Sequence, residues 1–262
     1  MIDKEKLLSH LNDREDELAL SYILDKVELA LKRSQPLFTY FLNPYHLHLA
    51  RPILEELARI NFFEYGGYSR AERRILGLMP DYYLREMVES PITILSITGQ
   101  FRFQKVSHRD FLGAILGTGI KREMVGDLVV FRGGCQVVIA KEIKDYLIFN
   151  LEQVHKVGVE IEEIGAKELK IEPEKVKLIE DTVPSLRLDS VASSGFGTSR
   201  TKMSQEIEQG KVKVNWKVIK DTAYLITEDD LISIRGRGRV EIDELFGESR
   251  RGRLKIRLKK YI

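Results

Sequence analysis

Residues 199–215 run Ser199-Arg200-Thr201-Lys202-Met203-Ser204-Gln205-Glu206-Ile207-Glu208-Gln209-Gly210-Lys211-Val212-Lys213-Val214-Asn215. Ser199 has the hydroxyl of a helix N-cap, and Gly210 is the usual residue type for ending a helix in a left-handed turn. Lys211 to Val214 then alternates strictly, lysines on one side and valines on the other, the pattern of a strand with one buried face. Upstream, Ser185-Leu186-Arg187-Leu188-Asp189 opens an earlier helix continued by Val191 and Ala192, and Gly195-Phe196-Gly197 links the two helices. Downstream, Trp216-Lys217-Val218-Ile219-Lys220 follows a turn, and Asp229-Asp230-Leu231-Ile232-Ser233-Ile234 supplies another strand. These elements make a small α+β domain, assigned to residues 183–240.

The charge is concentrated there. The chain has 262 residues and a net charge of +2, but residues 1–184 hold 25 Lys/Arg against 29 Asp/Glu and residues 185–262 hold 17 against 11. A basic end on an otherwise acidic chain points to a polyanion, nucleic acid foremost. Arg200 and Lys202 fall in the first turn of the Ser199 helix, whose free N–H groups favour phosphate. Lys211 and Lys213 project from one face of the next strand. Asp189 is expected to brace an arginine within the domain. Residues 235–262 add ten cations against four acids, in Arg235-Gly236-Arg237-Gly238-Arg239, Arg250-Arg251-Gly252-Arg253, Lys255, Arg257, Lys259 and Lys260. Leu254, Ile256 and Leu258 alternate with cations, so this basic C-terminal tail, 241–262, reads as a one-sided strand or as a disordered polybasic segment.

Composition bounds the rest. Apolar residues at 43% can build a core, and a single cysteine, Cys135, excludes a disulfide framework and a cysteine-based zinc site. No run approaches the roughly 18 apolar residues of a membrane span, and the charged start has no apolar signal core. A cytoplasmic protein is expected.

Residues 1–88 read as helical. Leu7, Leu8, Leu11, Leu18, Leu20, Ile23, Leu24, Val27 and Leu31 fall at three- and four-residue spacings. Ser34-Gln35-Pro36 breaks the pattern, and Asn43-Pro44 opens a second helix that Pro52 should end or kink. After Gly66-Gly67, a short basic helix is expected to align Arg70, Arg73 and Arg74 on one face.

Residues 89–182 alternate elements. Ile92–Ile97 reads as a strand, Ser107 as the N-cap of a helix that Gly117 or Gly119 stops, and Leu128–Phe131 and Gln136–Ala140 as a hairpin. A helix over Lys141–Lys156 and a strand from Val157 follow. That order is the ferredoxin-like, RRM-like α-β plait. RNA-recognition motifs stack bases on strand aromatics; Ile92–Ile97 and Gln136–Ala140 have none, and Phe101 and Phe103 only flank the first strand. Contact through Arg109, Lys121, Arg122 and nearby loops is the better expectation. Glu172-Pro173-Glu174 and Val183-Pro184 bracket the passage to the basic domain.

The C-terminal succession Arg187-Leu188-Asp189, Ser199-Arg200, Lys202, Ile207-Glu208-Gln209-Gly210, Val212, Val214-Asn215 and Asp230-Leu231-Ile232 resembles the small RNA-binding domain named after ribosomal protein S4. Trp216 departs from it, standing where most relatives place glycine; the turn's shape is left open, and the indole offers a stacking surface. The resemblance, taken with the basic pattern of the strand and of the residues after it, gives an expected RNA-binding set of Arg187, Ser199, Arg200, Lys202, Gln209, Lys211, Lys213, Asn215, Lys217, Arg235 and Arg237. In the middle region, His108-Arg109-Asp110-Phe111-Leu112-Gly113-Ala114, Gly119-Ile120-Lys121-Arg122-Glu123 and Gly126-Asp127 resemble the signature of the YlmH family of ribosome-associated proteins. The resemblance implies a bacterial, non-enzymatic RNA-binding protein, often near cell-division genes. It also implies partners in ribosomal RNA and tRNA, on a large ribosomal subunit carrying stalled peptidyl-tRNA in ribosome-associated quality control.

Other readings are weaker. His108-Arg109-Asp110 overlaps Asp110-Phe111-Leu112-Gly113, so a kinase catalytic loop and its metal-binding motif cannot both exist there. His46 and His48 have no third ligand nearby, and Cys135 has no nearby histidine to activate it. No cofactor or metal is expected. The rival classes are an RNA-modifying enzyme of the pseudouridine synthase kind, for which Asp110 and Asp127 are the only aspartates worth testing, and a cell-division scaffold.

Overall fold

The computed structural model describes residues 2–261 apart from His10, Asn12, Arg102, Phe103, Lys105, residues 172–174, Asp229, Arg250 and Arg251. The readings placed on Phe103, 172–174, Asp229, Arg250 and Arg251 lie outside the described residues. Residues 1–171 and 172–262 form two separate units, and the fold is α+β throughout.

The first unit opens with helices α1 (Lys4–Leu8) and α2 (Arg14–Arg33), capped by Asp3 and Asp13. Ser34 takes a left-handed φ of 53° and stops α2 just before Pro36. Strand β1 (Leu37–Phe38) leads to α3 (Pro44–Glu55), where Asn43 caps and Pro44 occupies the first turn, which needs no N–H. Pro52 lies inside α3, and the helix ends three residues later.

From there the region is not wholly helical. Strands β2 (Ile60–Tyr65) and β3 (Ile75–Pro80) form a hairpin with β1 on its other edge, in the order β1-β3-β2. Leu20, Ile23, Leu24 and Val27 of α2 and Leu47, Ala50, Ile53 and Leu54 of α3 pack on Ile60, Leu76 and Leu78. The expected basic helix at 70–74 is absent: residues 66–73 are turns and bends. Arg73 donates to the Phe41 and Val125 carbonyls, and Arg74 to the Ala71 and Ser69 carbonyls and to Glu64. Tertiary hydrogen bonds outweigh the weak helical preference of so short a segment.

The plait follows as β4 (Ile92–Gly99), α4 (His108–Gly117), β5 (Val125–Phe131), β6 (Gly134–Ala140), α5 (Lys144–Asn150), the short β7 (Gln153–Val154) and β8 (Val157–Ile164). The all-antiparallel order β5-β6-β4-β8, with β7 as an outer strand, is the ferredoxin-like arrangement. Ser107 and Asp110 close a capping box at the start of α4. Helix α5 is shorter than the sequence pattern suggests, because Leu151 leaves helical geometry and Val154 turns into the β7–β8 hairpin.

Both faces of the central strands are buried. Leu95, Ile97, Val137 and Ile139 face the helices. On the other face Ile92, Ile94 and Val138 pack against Phe41 and Ile75 of the preceding region. Ser96 and Gln136 complete that covered face, with Gln136 held by the Glu168 carbonyl and the Lys170 amide. The strands therefore read as continuous apolar runs without aromatics: the surface on which an RNA-recognition motif stacks bases is here an internal seam.

The second unit is one six-stranded antiparallel sheet with two helices. Its elements are β9 (Val176–Val183), α6 (Leu188–Phe196), α7 (Arg200–Glu208), β10 (Val212–Val214), β11 (Lys217–Val218), β12 (Leu231–Ile234), β13 (Gly238–Glu248) and β14 (Leu254–Tyr261), and the sheet order is β11-β10-β12-β13-β14-β9. Leu188, Val191, Met203, Ile207, Val212, Val214, Val240, Ile256 and Leu258 share one core.

Two boundaries shift accordingly. Strand β9, assigned by sequence to the plait segment ending at 182, pairs along its whole length with β14. Among its described residues the presumed tail 241–262 is mainly sheet: β13 runs on to Glu248, and β14 lies between β9 and β13, with Ile256 and Leu258 fully buried. Burying each such side chain is worth about 1.5–3 kcal/mol. No partner for β9 is visible until the last residues of the chain, so sequence pattern alone assigns it to its nearer neighbours.

Candidate nucleic-acid interface

In the second unit the expected RNA-binding residues fall into two groups according to their partners. Arg187 stands at the N-cap position of α6, Arg200 opens α7, and both side chains turn onto Asp189. Arg187 Nε and Nη2 donate at 3.3 and 3.2 Å, and Arg200 Nε and Nη2 at 3.0 and 3.1 Å. The Asp189 side chain is 5% exposed. Burial alone would raise its pKa, but hydrogen bonds from Arg187 and Arg200 and their charges outweigh this and hold it below the usual carboxylate range. The cluster ties the start of one helix to the start of the next.

Other expected contacts are also structural. Ser199 accepts from the Lys202 amide as the α7 N-cap. Arg237, in the β12–β13 turn, pairs with Glu206 of α7 at 3.0 Å. Asn215 Nδ2 donates to Asp230 at 2.6 Å and its carbonyl accepts from the Leu231 amide at 3.0 Å. Asp230 in turn accepts from the Thr227 amide and hydroxyl. Asn215 and Asp230-Leu231 thus act as a staple across the sheet, which explains why residues so far apart in sequence belong to one pattern.

A second group is left outward. Lys202 in the first turn of α7, Lys211 just before β10, Lys213 within it, and Arg235 in the β12–β13 turn are exposed and pair with no carboxylate among the described residues. Lys213 leaves β10 opposite the buried Val212 and Val214, and Lys211 is exposed immediately before the strand. Val212 pairs with Ile234, which brings Lys211 and Arg235 to the same end of the ladder. Lys202 lies at the far end of α7, about 13 Å along the helix axis. Gln209, the α7 C-cap residue, is exposed, and so is Lys217 on the outer strand β11, at the turn end of the hairpin opposite Val214. By contrast, the cations of β14 are largely balanced: Arg257 pairs with Glu180 and Glu244, and Lys259 with Asp243.

The β10–β11 hairpin turns through Asn215 and Trp216 with φ values of 46° and 69°. Both central residues of this two-residue turn are at positive φ, the condition of a type I′ turn, whose second position favours glycine. Asparagine tolerates this region. Tryptophan there costs about 1–2 kcal/mol.

In the first unit the signature residues hold the N-terminal region to the plait. Asp127 accepts from Tyr68 Oη at 2.9 Å, the Glu72 amide at 2.6 Å and the Arg73 amide at 3.1 Å. Burial, with Asp127 beside it, raises the Tyr68 pKa, and burial lowers that of Arg73 to about 10. Arg122 donates to the Val125 and Gly126 carbonyls, so it is not the free contact expected from sequence. Arg109 and Lys121 are exposed. Asp110 caps α4 and pairs with His155 at 3.0 Å. Both aspartates considered for catalysis are therefore occupied by protein donors. Cys135 is buried, which pushes its thiol up to about 12. No group of three or more His, Cys, Asp or Glu among the described residues is placed to hold a metal, and no described helix is long and apolar enough to cross a membrane.

Comparison with known proteins agrees with this division. Residues 15–83 match the family model "YlmH, N-terminal", residues 87–168 match "Putative RNA-binding domain in YlmH", and residues 186–232 match "S4 domain". "Ribosome-associated protein quality control protein P2" of Bacillus subtilis (strain 168) is 32% identical over 244 residues, covering 93% of this chain and 95% of that protein. "Cell division protein ylmH from Streptococcus pneumoniae", a solved structure, has the same fold with a TM-score of 0.54 at 23% identity, over 62% of this chain and 98% of that one. With 32% identity to one relative over nearly the whole length and three domain matches in the order of the folded segments, the chain belongs to the YlmH family.

Proposed function

We propose that the chain is a non-enzymatic RNA-binding protein of the ribosome, and that its second unit holds structured ribosomal RNA and tRNA on the large subunit. The B. subtilis relative's name supports a part in ribosome-associated protein quality control, and the finer reading is that the chain acts on stalled peptidyl-tRNA in the cytoplasm. One observation carries it: Lys202, Lys211 and Lys213 of the S4 domain, and Arg235 just after its matched residues, stay exposed and pair with no carboxylate among the described residues, while neighbouring cations are neutralised. Phosphate attraction by unpaired surface cations gives affinity for RNA shape over sequence. Arg187, Arg200, Arg237 and Asn215 build the platform, and the first unit adds its RNA-binding domain through surfaces other than its covered sheet.

The test is co-sedimentation with ribosomal particles at two salt concentrations. The wild type should travel with the large subunit. The Lys202→Ala/Lys211→Ala/Lys213→Ala/Arg235→Ala variant should lose that association, and its affinity for RNA should show a salt slope shallower by about one per cation removed. Unchanged co-sedimentation of that variant would overturn the assigned surface.

A further inference from the structure

Trp216 is the only tryptophan of the chain, and it occupies a backbone position that resists it. Its φ of 69° closes the turn between β10 and β11, next to the strand that carries Lys213 and follows Lys211. Glycine would make this turn without strain. A bulky residue held at positive φ is an outlier whose cost has to be met elsewhere, and such outliers gather at binding sites. Internal polar or aromatic contacts do not meet it: the indole is half-buried and joins no ring stack, cation–ring pair or hydrogen bond among the described residues.

We propose that Trp216 is a base-stacking contact of this interface, taking the face of an unpaired nucleobase while Lys211 and Lys213 hold the adjoining phosphates. The inference rests on the RNA-binding role proposed above and adds to it a ligand class: structured RNA that presents at least one unstacked base. Every nucleobase has a π-face, so the contact is indifferent to sequence. It discriminates between paired and unpaired bases, which phosphate contacts alone do not.

A lone tryptophan makes the test direct. Full-length protein is titrated with two RNAs of equal charge, a hairpin with an unpaired loop and a fully paired duplex, following both anisotropy of the labelled RNA and intrinsic tryptophan emission. The hairpin should quench the emission with the same midpoint as the anisotropy, and the duplex should leave it nearly unchanged. Trp216→Gly should bind the hairpin about tenfold more weakly and the duplex as the wild type does, while keeping or raising the melting temperature. Trp216→Phe should recover most of the hairpin affinity. Hairpin binding without quenching, or equal hairpin affinity in Trp216→Gly, would overturn the stacking contact and leave RNA binding intact. Absence of anisotropy change with either RNA would instead remove the proposed function, and the stacking contact with it.

Discussion

The Asp189 cluster gives the sharpest quantitative expectation. Asp189→Asn keeps the shape of the side chain and removes its charge. In the wild type one buried carboxylate receives four hydrogen bonds from two guanidinium groups. Losing one side of a fully buried ion pair costs about 3–5 kcal/mol. Here the arginine side chains are 37% and 47% exposed, so water recovers part of their solvation and screens their repulsion, and about 2 kcal/mol is the expected loss. Trp216 lies in the same unit, so its emission follows the unfolding of that unit in urea. With a urea slope of about 1–3 kcal/mol/M, the midpoint should fall by about 1 M. The pH dependence has a fixed sign. A carboxylate held below its ordinary value contributes stability that is complete above about pH 4, near its unfolded pKa, and disappears as pH drops through the folded value. The gap between wild type and Asp189→Asn should therefore be full at pH 7 and close on acidification. Equal midpoints at pH 7, or a gap that widens below pH 4, would refute the bracing role.

Three further expectations concern the first unit. Asp127→Ala leaves the Glu72 and Arg73 amides and the Tyr68 hydroxyl without an acceptor; a loss of about 2 kcal/mol should appear as faster hydrogen exchange at those two amides, and unchanged exchange would contradict the clasp. Gly134→Ala places a Cβ 2.0 Å from the Ile97 carbonyl oxygen, so β4 and β6 must separate there, at a cost of about 3 kcal/mol or more in a denaturation curve. Cys135, buried with its thiol raised to about 12, should resist a thiol-specific reagent at pH 8 in the folded protein and react at once in denaturant; prompt labelling of native protein would show that the strand opens.

Local signals were readable where the deciding partner lies close in sequence. Ser107 and Asp110 around α4, Asn43-Pro44 before α3 and Ser199 to Gly210 around α7 each mark an element by its own caps. The plait's order followed from such boundaries. What escaped depends on distant partners. Arg73 and Arg74 look like a helical face, yet their hydrogen bonds reach Phe41, Val125 and Glu64. Strand β9 acquires its identity from β14, more than seventy residues later. At the interface, charge located the region, but which cations stay outward was decided by acids placed in three dimensions: Asp189 captures two arginines and Glu206 a third. Trp216 was visible as a departure from pattern, whereas its left-handed backbone was not.

The pairing of β9 with β14 also bears on how the second unit responds to force. The register sets Val176 opposite Tyr261 and Val183 opposite Leu254, so the N-terminal end of β9 and the C-terminal end of β14 lie side by side. A pull applied between those ends loads the ladder one hydrogen-bonded pair at a time, as a zipper is opened, instead of shearing all pairs together. The outer strand β9 would peel away first, while the helices and the β10–β13 portion, whose cations face outward, keep their own hydrogen bonds. Tension passed from the preceding unit would therefore be absorbed at the seam between β9 and β14, away from the basic surface.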